Sequence, residues 1–268
     1  MPAARPYVFD NDDPHATEQH RCLRDLLDPL TSRTLERIGV GPGWRCLDVG
    51  GGGGSVAHWL SDRVGPGGEV LVTDIQPGRL VAGGNVTVRL HDVVRDPIAA
   101  DAFDLAHVRA VLFHLPERDE LVGKLVRAVK PGGWLQIDDF DLGHWPGLQF
   151  ADDQHRAVYE RYREALNALF DHAGSELGWG TRISHVMRAE GLTEIDHDVE
   201  VGVWRAHTPG ADLMYNHTFQ LRDRLLAEGL TDTDLADLRT VVRDPNYRAQ
   251  GFGLHSAWGR RRVERVET

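Results

Sequence analysis

The run LDVGGGGGSVAHWL, Leu47 to Leu60, places a carboxylate at the end of an apolar stretch and follows it with five consecutive glycines. Glycines gather where a backbone must take positive φ angles and a ligand must approach to van der Waals distance. The helix start beyond them turns unpaired N–H groups into the same space. Gly52, Gly54 and Ala57 also satisfy the GxGxxA form of a dinucleotide-binding turn, so the glycines alone admit two kinds of ligand. Asp48 separates these, because a carboxylate there repels a pyrophosphate and attracts an ammonium group. Asp74 lies 20 residues beyond Gly54, where a dinucleotide enzyme also carries an acid, and so does not discriminate.

The glycines need a strand before them and a helix after them. Arg45 to Val49 reads as a short buried strand and Ser55 to Val64 as a helix, which makes Gly50 to Gly54 the turn of a first βα unit. Further strands are expected at Glu69 to Asp74, Val86 to Asp92, Phe103 to Arg109 and Trp134 to Phe140, with a helix from Pro116 to Val129 between the last two. Alternation of this kind means a doubly wound, Rossmann-like α/β fold: a mostly parallel, seven-stranded sheet with helices on both faces and a helical cap. Ligands in such sheets bind beyond the carboxyl ends of the strands, so Asp48, Asp74, Asp92, Arg109 and Asp138 to Asp141 should meet on one rim.

Upstream, Asp13-Pro14 and Asp28-Pro29 each read as the start of a helix, one to about Leu27 and one to Ile38. Downstream, helices are expected at Ala151 to Asp171, Thr181 to Glu190, Ala211 to Glu228 and Thr233 to Arg243. Glu194 to Val203 alternates as a strand with Ile195, His197, Val199, Val201 and Val203 on one face, and Phe252 to Trp258 gives the last strand. The expected organisation is an arm with helices over 1–43 that contributes to a lid, then a domain over 44–268 with cap insertions around 144–173 and 208–247.

Several of these motifs, in this order, resemble class I S-adenosylmethionine (SAM) methyltransferases. Asp48, Gly50, Gly52 and Gly54 match the family's DxGxGxG signature, and FDLAHVRAVLFHL and LVRAVKPGGWLQIDD resemble its fourth-strand motif and its helix-PGG-strand motif. The resemblance covers most of 44–140. It implies SAM as cofactor and S-adenosylhomocysteine as product, held by Asp48, Gly50, Gly51, Gly52, Gly54, Asp74, Ile75, His91, Asp92, Val93 and Arg109. In that scheme Asp74 accepts the ribose hydroxyls, Asp92 receives the adenine amino group and the Val93 N–H meets the ring. The run HLPERDELVGKLVRAVKPGGW resembles the bacterial subgroup that acts on small molecules in quinone biosynthesis and natural-product tailoring. This implies methyl transfer to O, N or C of a small, secondary-metabolite or quinone-like acceptor. No Asn/Asp-Pro-Pro-Tyr run follows the fourth strand, which argues against methylation of bases or protein amides. Two other readings are a SAM-retaining protein that cyclises, decarboxylates or hydroxylates, and an NAD(P)-dependent oxidoreductase; the absence of a TyrxxxLys pair disfavours the latter.

An acceptor that is protonated at working pH needs a base. The catalytic candidates are His114, then Asp141 and His144 beyond the fifth strand, with His217 and Tyr215 of the lid region behind them; His114 and His144 stand first because each follows a strand whose carboxyl end faces the sulfonium. Tyr7, Phe9, His114, His144, Trp145, Tyr215 and His217 are the candidates for contact with the acceptor. Fourteen histidines occur without an HExxH or Cys/His ligand spacing, so no metal is expected. Cys22 and Cys46 are the two cysteines and build no disulfide framework. Thirty Lys and Arg against 41 Asp and Glu give a net charge of −11, which argues against a nucleic-acid surface. The opening residues lack the apolar core of a leader, and no apolar run approaches the roughly 20 residues of a membrane span. The expectation is a cytoplasmic enzyme with a small-molecule acceptor and no membrane partner, a homodimer being among the possible assemblies.

Overall fold

The computed structural model describes residues 8–263. The first βα unit forms as the glycine spacing dictates: β1 is Arg45–Val49 and α2 is Ser55–Val64, after the N-terminal helix α1 (Ala16–Ile38). The strands β2 (Glu69–Asp74), β3 (Val86–Leu90), β4 (Phe103–Arg109), β5 (Val129–Asp141), β7 (Thr193–Glu200) and β10 (Gly253–Arg260) join β1 in one seven-stranded sheet of order β3-β2-β1-β4-β5-β10-β7. Only β10 runs against its neighbours β5 and β7. Strand order reverses between β1 and β4, so the crevice for a ligand lies beyond their carboxyl ends. On the faces lie α1, α2, α3 (Arg118–Ala128) and α5 (Trp179–Ala189); α4 (Asp153–Ala173), α6 (Pro209–Gln220), α7 (Arg222–Ala227) and α8 (Asp232–Val241) build the cap.

Three elements differ from the sequence expectation. Asp28-Pro29 does not start a second helix: α1 runs unbroken through Pro29. The helix is held across that point because Leu27, Leu30, Thr31 and Thr34 are all buried, and because Asp28 is engaged by Arg109 and Ser55 instead of capping. The expected helix over Ala211 to Glu228 is two helices that meet at Leu221, with Met214 and Leu225 buried on either side of the break. The alternating segment divides between two sheets. β7 is an edge strand whose Val199 is exposed, while Asp198 and Glu200 turn to Arg37 and Arg33 of α1. After Gly202 the chain enters a three-stranded sheet, β6 (Gly147–Gln149), β9 (Arg248–Gln250) and β8 (Val203–Arg205), which sequence periodicity did not reveal because each strand has three residues. No helix among the described residues is long and apolar enough to cross a membrane.

Candidate active site

The turn between β1 and α2 is shaped by two different demands on its glycines. Gly50 has φ +71°, and a Cβ there would stand 2.2 Å from Val111 Cγ2, so this position serves close packing against the chain beyond β4. Gly52, φ +50°, is open: a Cβ there would find nothing nearer than His20 Nε2 at 3.7 Å. The glycine that leaves room for a ligand is therefore Gly52. Its N–H donates to Asp74 Oδ2 (3.1 Å), and Gln76 N–H donates to Asp74 Oδ1 (2.8 Å). Asp74 thus ties the end of β2 to the glycine turn and keeps lone pairs for further donors.

Gly50, Gly52 and Asp74 line a cleft of about 1330 Å³, together with Ile75, His91, Asp92, Val93 and Arg109. Within it, His91 Nε2 lies 3.3 Å from the Pro97 carbonyl. Asp92 has a local task, as its Oδ1 accepts the N–H groups of Val94 (2.9 Å) and Arg95 (3.3 Å). Only Asp92 Oδ2 remains for a ligand, with Arg95 Nε 3.5 Å away. Arg109 acts as a clamp between β4, α1 and α2, donating to Asp28 Oδ1 (2.6 Å), Ser55 Oγ (3.0 Å) and Thr31 Oγ1 (3.3 Å). Asp48 and Gly54 do not line the cleft. Asp48 is 3 % exposed and belongs to the floor beneath, where His107 Nδ1 lies 2.8 Å from its Oδ1 and His107 Nε2 lies 3.2 Å from Asp138 Oδ2. Burial opposes charge on His107, but hydrogen bonds to Asp138 and Asp48 and the two negative charges outweigh it and raise its pKa to about 9.

The sequence motifs did not mark the α1 side of the cleft. His20, Leu23 and Arg24 line it, and Asn11 N–H reaches across to Gln76 Oε1 (3.0 Å), beside Asp74. The available signal was the run of polar residues, Gln19, Thr31 and Thr34, on the buried face of α1, which is unusual for a helix that packs on a sheet.

A second, smaller cavity of about 40 Å³ adjoins the cleft. Phe9, Phe113, Phe140, Phe170 and Phe252 wall it, with Gln19, His114 and His217 as its polar groups. His114 lines both spaces and marks where they meet. Burial, aided by the charge of Arg118, pushes the His114 pKa down to about 3, and burial alone does the same to His217. Both rings are neutral at physiological pH. The Tyr162 hydroxyl lies 2.8 Å from His217 Nδ1. Burial keeps that phenol protonated, and it has no other hydrogen-bond partner among the described residues, so it donates to Nδ1 and leaves the imidazole proton on Nε2. Gln19 Oε1 is buried with no partner among the described residues.

The other candidates are elsewhere. Beyond Asp141 the chain turns into the small sheet, which leaves His144 exposed, with its carbonyl taken by Gln250 Nε2 (2.8 Å). Asp141 Oδ1 accepts the Gly143 N–H (2.8 Å) and closes that turn. Trp145 is fully buried in an aromatic cluster with Phe252 and Tyr159, and Tyr215 packs beneath Arg243, 4.5 Å from its ring centre. None of these four lines either space. Nor do Asp138 to Asp141 meet on a rim: Asp138 and Asp139 are buried, and Asp139 accepts the Phe113 N–H (2.9 Å), which fixes the turn that carries His114. Tyr7 lies outside the described residues.

The cleft suits a nucleoside-bearing cofactor. It has an open glycine at Gly52, an acid at the end of β2 and room to spare. Beneath it Asp48 Oδ2 is buried with no partner among the described residues, an anionic atom suited to a cation.

Residues 47–137 match the family model described as a methyltransferase domain. The chain is 36% identical over 174 residues to a ubiquinone/menaquinone biosynthesis C-methyltransferase of Cupriavidus necator, covering 53% of this chain and 72% of that protein. It is 33% identical over 200 residues to the protein of the same name from Bordetella parapertussis, covering 63% of this chain and 76% of that one. Among solved structures it is similar to Haemonchus contortus phosphoethanolamine N-methyltransferase 2 in complex with S-adenosyl-L-methionine, with a TM-score of 0.53 at 18% identity. That alignment covers 85% of this chain but only 51% of the longer protein, and at such identity it speaks for the fold alone.

Proposed function

This chain belongs to the class I SAM-dependent methyltransferases, and from that premise we propose that its methyl acceptor is a small, uncharged aromatic molecule of the quinol or phenol kind. The observation that carries this reading is the cavity beside the cleft: five phenylalanines and two neutral histidines line it, with no Asp, Glu, Lys or Arg among its described walls. A charged acceptor would lose its hydration there without a counter-ion. The names of the relatives, which methylate carbon in ubiquinone and menaquinone biosynthesis, support the same class.

Bound SAM supplies a methyl group already activated by its sulfonium. The protein's own task is alignment and exclusion of water. In this reading Asp74 receives the ribose, Asp92 and Val93 meet the adenine, and Gly50, Gly51, Gly52 and Ile75 form the wall along the cofactor. His114 and His217 contact the acceptor as neutral hydrogen-bonding groups. Phe9, α4 and α6 belong to a lid, since a cavity that admits a benzene ring measures about 150 Å³ and this one is smaller. Opening it requires Phe9, Phe170 and His217 to give way. A cytoplasmic location belongs to the same reading, because SAM is met there.

The test is incubation with SAM carrying a deuterated methyl group and a panel of a naphthohydroquinone, a catechol, a primary amine and a carboxylic acid, read by mass spectrometry. Label on the hydroquinone or catechol is expected. Label confined to the amine or the acid would overturn the acceptor class.

A further inference from the structure

A row of polar side chains crosses the sheet beneath the cofactor cleft. Asp48 on β1 is paired in register with His107 on β4, His107 with Gln136 on β5, and Asp138 on β5 with Ser256 on β10. The members are buried, in a layer where apolar residues are the rule. Buried charge of this kind is costly unless paired, so its distribution is informative.

The charges can be counted. Both ring nitrogens of His107 face carboxylate oxygens, and only an imidazolium donates from both. Two carboxylates and one imidazolium leave one negative charge. Asp138 is saturated, because Gln136 Nε2 reaches both of its oxygens (3.0 Å each) in addition to His107. Asp48 is not: His107 takes Oδ1, and Oδ2 is buried with no partner among the described residues. The uncompensated charge therefore rests on Asp48 Oδ2, directly before Val49 and Gly50, which line the cleft.

We propose that His107, anchored by Asp138, is a positioning residue that holds Asp48 by one oxygen so that the other receives the ammonium group of the cofactor's amino-acid end. The inference rests on the SAM reading above. Neutral His107 would present a lone pair to one carboxylate and let it rotate. The protonated ring fixes both, and the ammonium then completes the charge balance of the floor.

The experiment compares two ligands, S-adenosylhomocysteine, which has the ammonium, and 5′-methylthioadenosine, which lacks the whole amino-acid end. Each is titrated calorimetrically into the parent, Asp48→Asn and His107→Gln, both close in shape to the residue replaced, with a thermal melt of every variant. The expected result is that both variants weaken S-adenosylhomocysteine by about tenfold or more, roughly 1.4 kcal/mol, and leave methylthioadenosine within about twofold. A purely structural role would weaken both ligands alike, and that outcome, or no change in either, overturns the inference while a parent that binds S-adenosylhomocysteine keeps the SAM reading. A parent that does not bind S-adenosylhomocysteine removes the reading and the inference together. If His107→Gln does not fold, Asp48→Asn decides the ammonium contact. His107→Asn, which is smaller and still donates one hydrogen bond, then decides the positioning role by the same ligand comparison.

Discussion

The ring of Phe9 meets that of His114 edge to face, with centroids 5.9 Å apart and planes at 82°. This contact joins the arm before α1 to His114, which with Leu23 and Ala110 lines both the large cleft and the phenylalanine-lined cavity. In the proposed reading the arm closes over the place where donor and acceptor would meet.

Phe9→Ala should lower kcat/KM for the acceptor by about tenfold or more, because an open cavity loosens alignment and admits water. S-adenosylhomocysteine affinity should change by less than about threefold. Steady-state kinetics paired with a titration checks this, and parental kinetics would count against the arm as lid.

Asp74→Asn should weaken S-adenosylhomocysteine by about 1.5 to 3 kcal/mol, the scale of lost charge-assisted hydrogen bonds. Because Asp74 also accepts the Gly52 and Gln76 N–H groups, the melting temperature should fall as well, where a purely peripheral acid would leave it unchanged. Calorimetric titration and a thermal melt read the two effects separately.

His114 and His217, with pKa values near 3, do not change charge between pH 5 and 9. Turnover against pH should show no limb that disappears in His114→Asn or His217→Asn, and each variant should lower kcat/KM through acceptor contact. A limb near pH 6.5 lost in either variant would restore that histidine as a titrating base.

Stability should peak near neutrality, for two reasons of opposite sign. The unfolded chain protonates His114 and His217 near 6.5 but the folded chain only near 3, so stability falls as pH drops through that window. The folded chain holds the His107 proton to about 9 and the unfolded chain to about 6.5, so its contribution is complete below 6.5 and is lost as pH rises toward 9. Melting temperatures from pH 5 to 10 should trace both limbs. His107→Gln should flatten the alkaline one, and an unchanged alkaline limb would rule out His107 as its source.

Much of the cleft proposed for the cofactor was legible because its elements are local. The Asp48 to Gly54 spacing, the acid at the end of β2 and the His91-Asp92 pair each sit at a strand end that alternation alone locates, and β1 and α2 form with the limits expected. The acceptor side was less so. His114 and His144 look equivalent in the sequence, each shortly beyond a strand; the turn of residues 112–114 carries one inward, and the small sheet carries the other to the surface.

The sequence by itself determined the first βα unit, the glycine turn and the class of the central sheet, since these follow from periodicities and turn residues acting over a few positions. The tertiary structure decided that β4 lies beside β1, which brings His107 to Asp48 across 59 residues of chain, and that α1 runs through Pro29. It also decided the charge of each histidine: buried between two carboxylates His107 is raised, and buried among phenylalanines His114 is lowered. Protonation is set by desolvation and by the charges within a few ångströms, and which groups come that close is settled only when distant strands and helices pack.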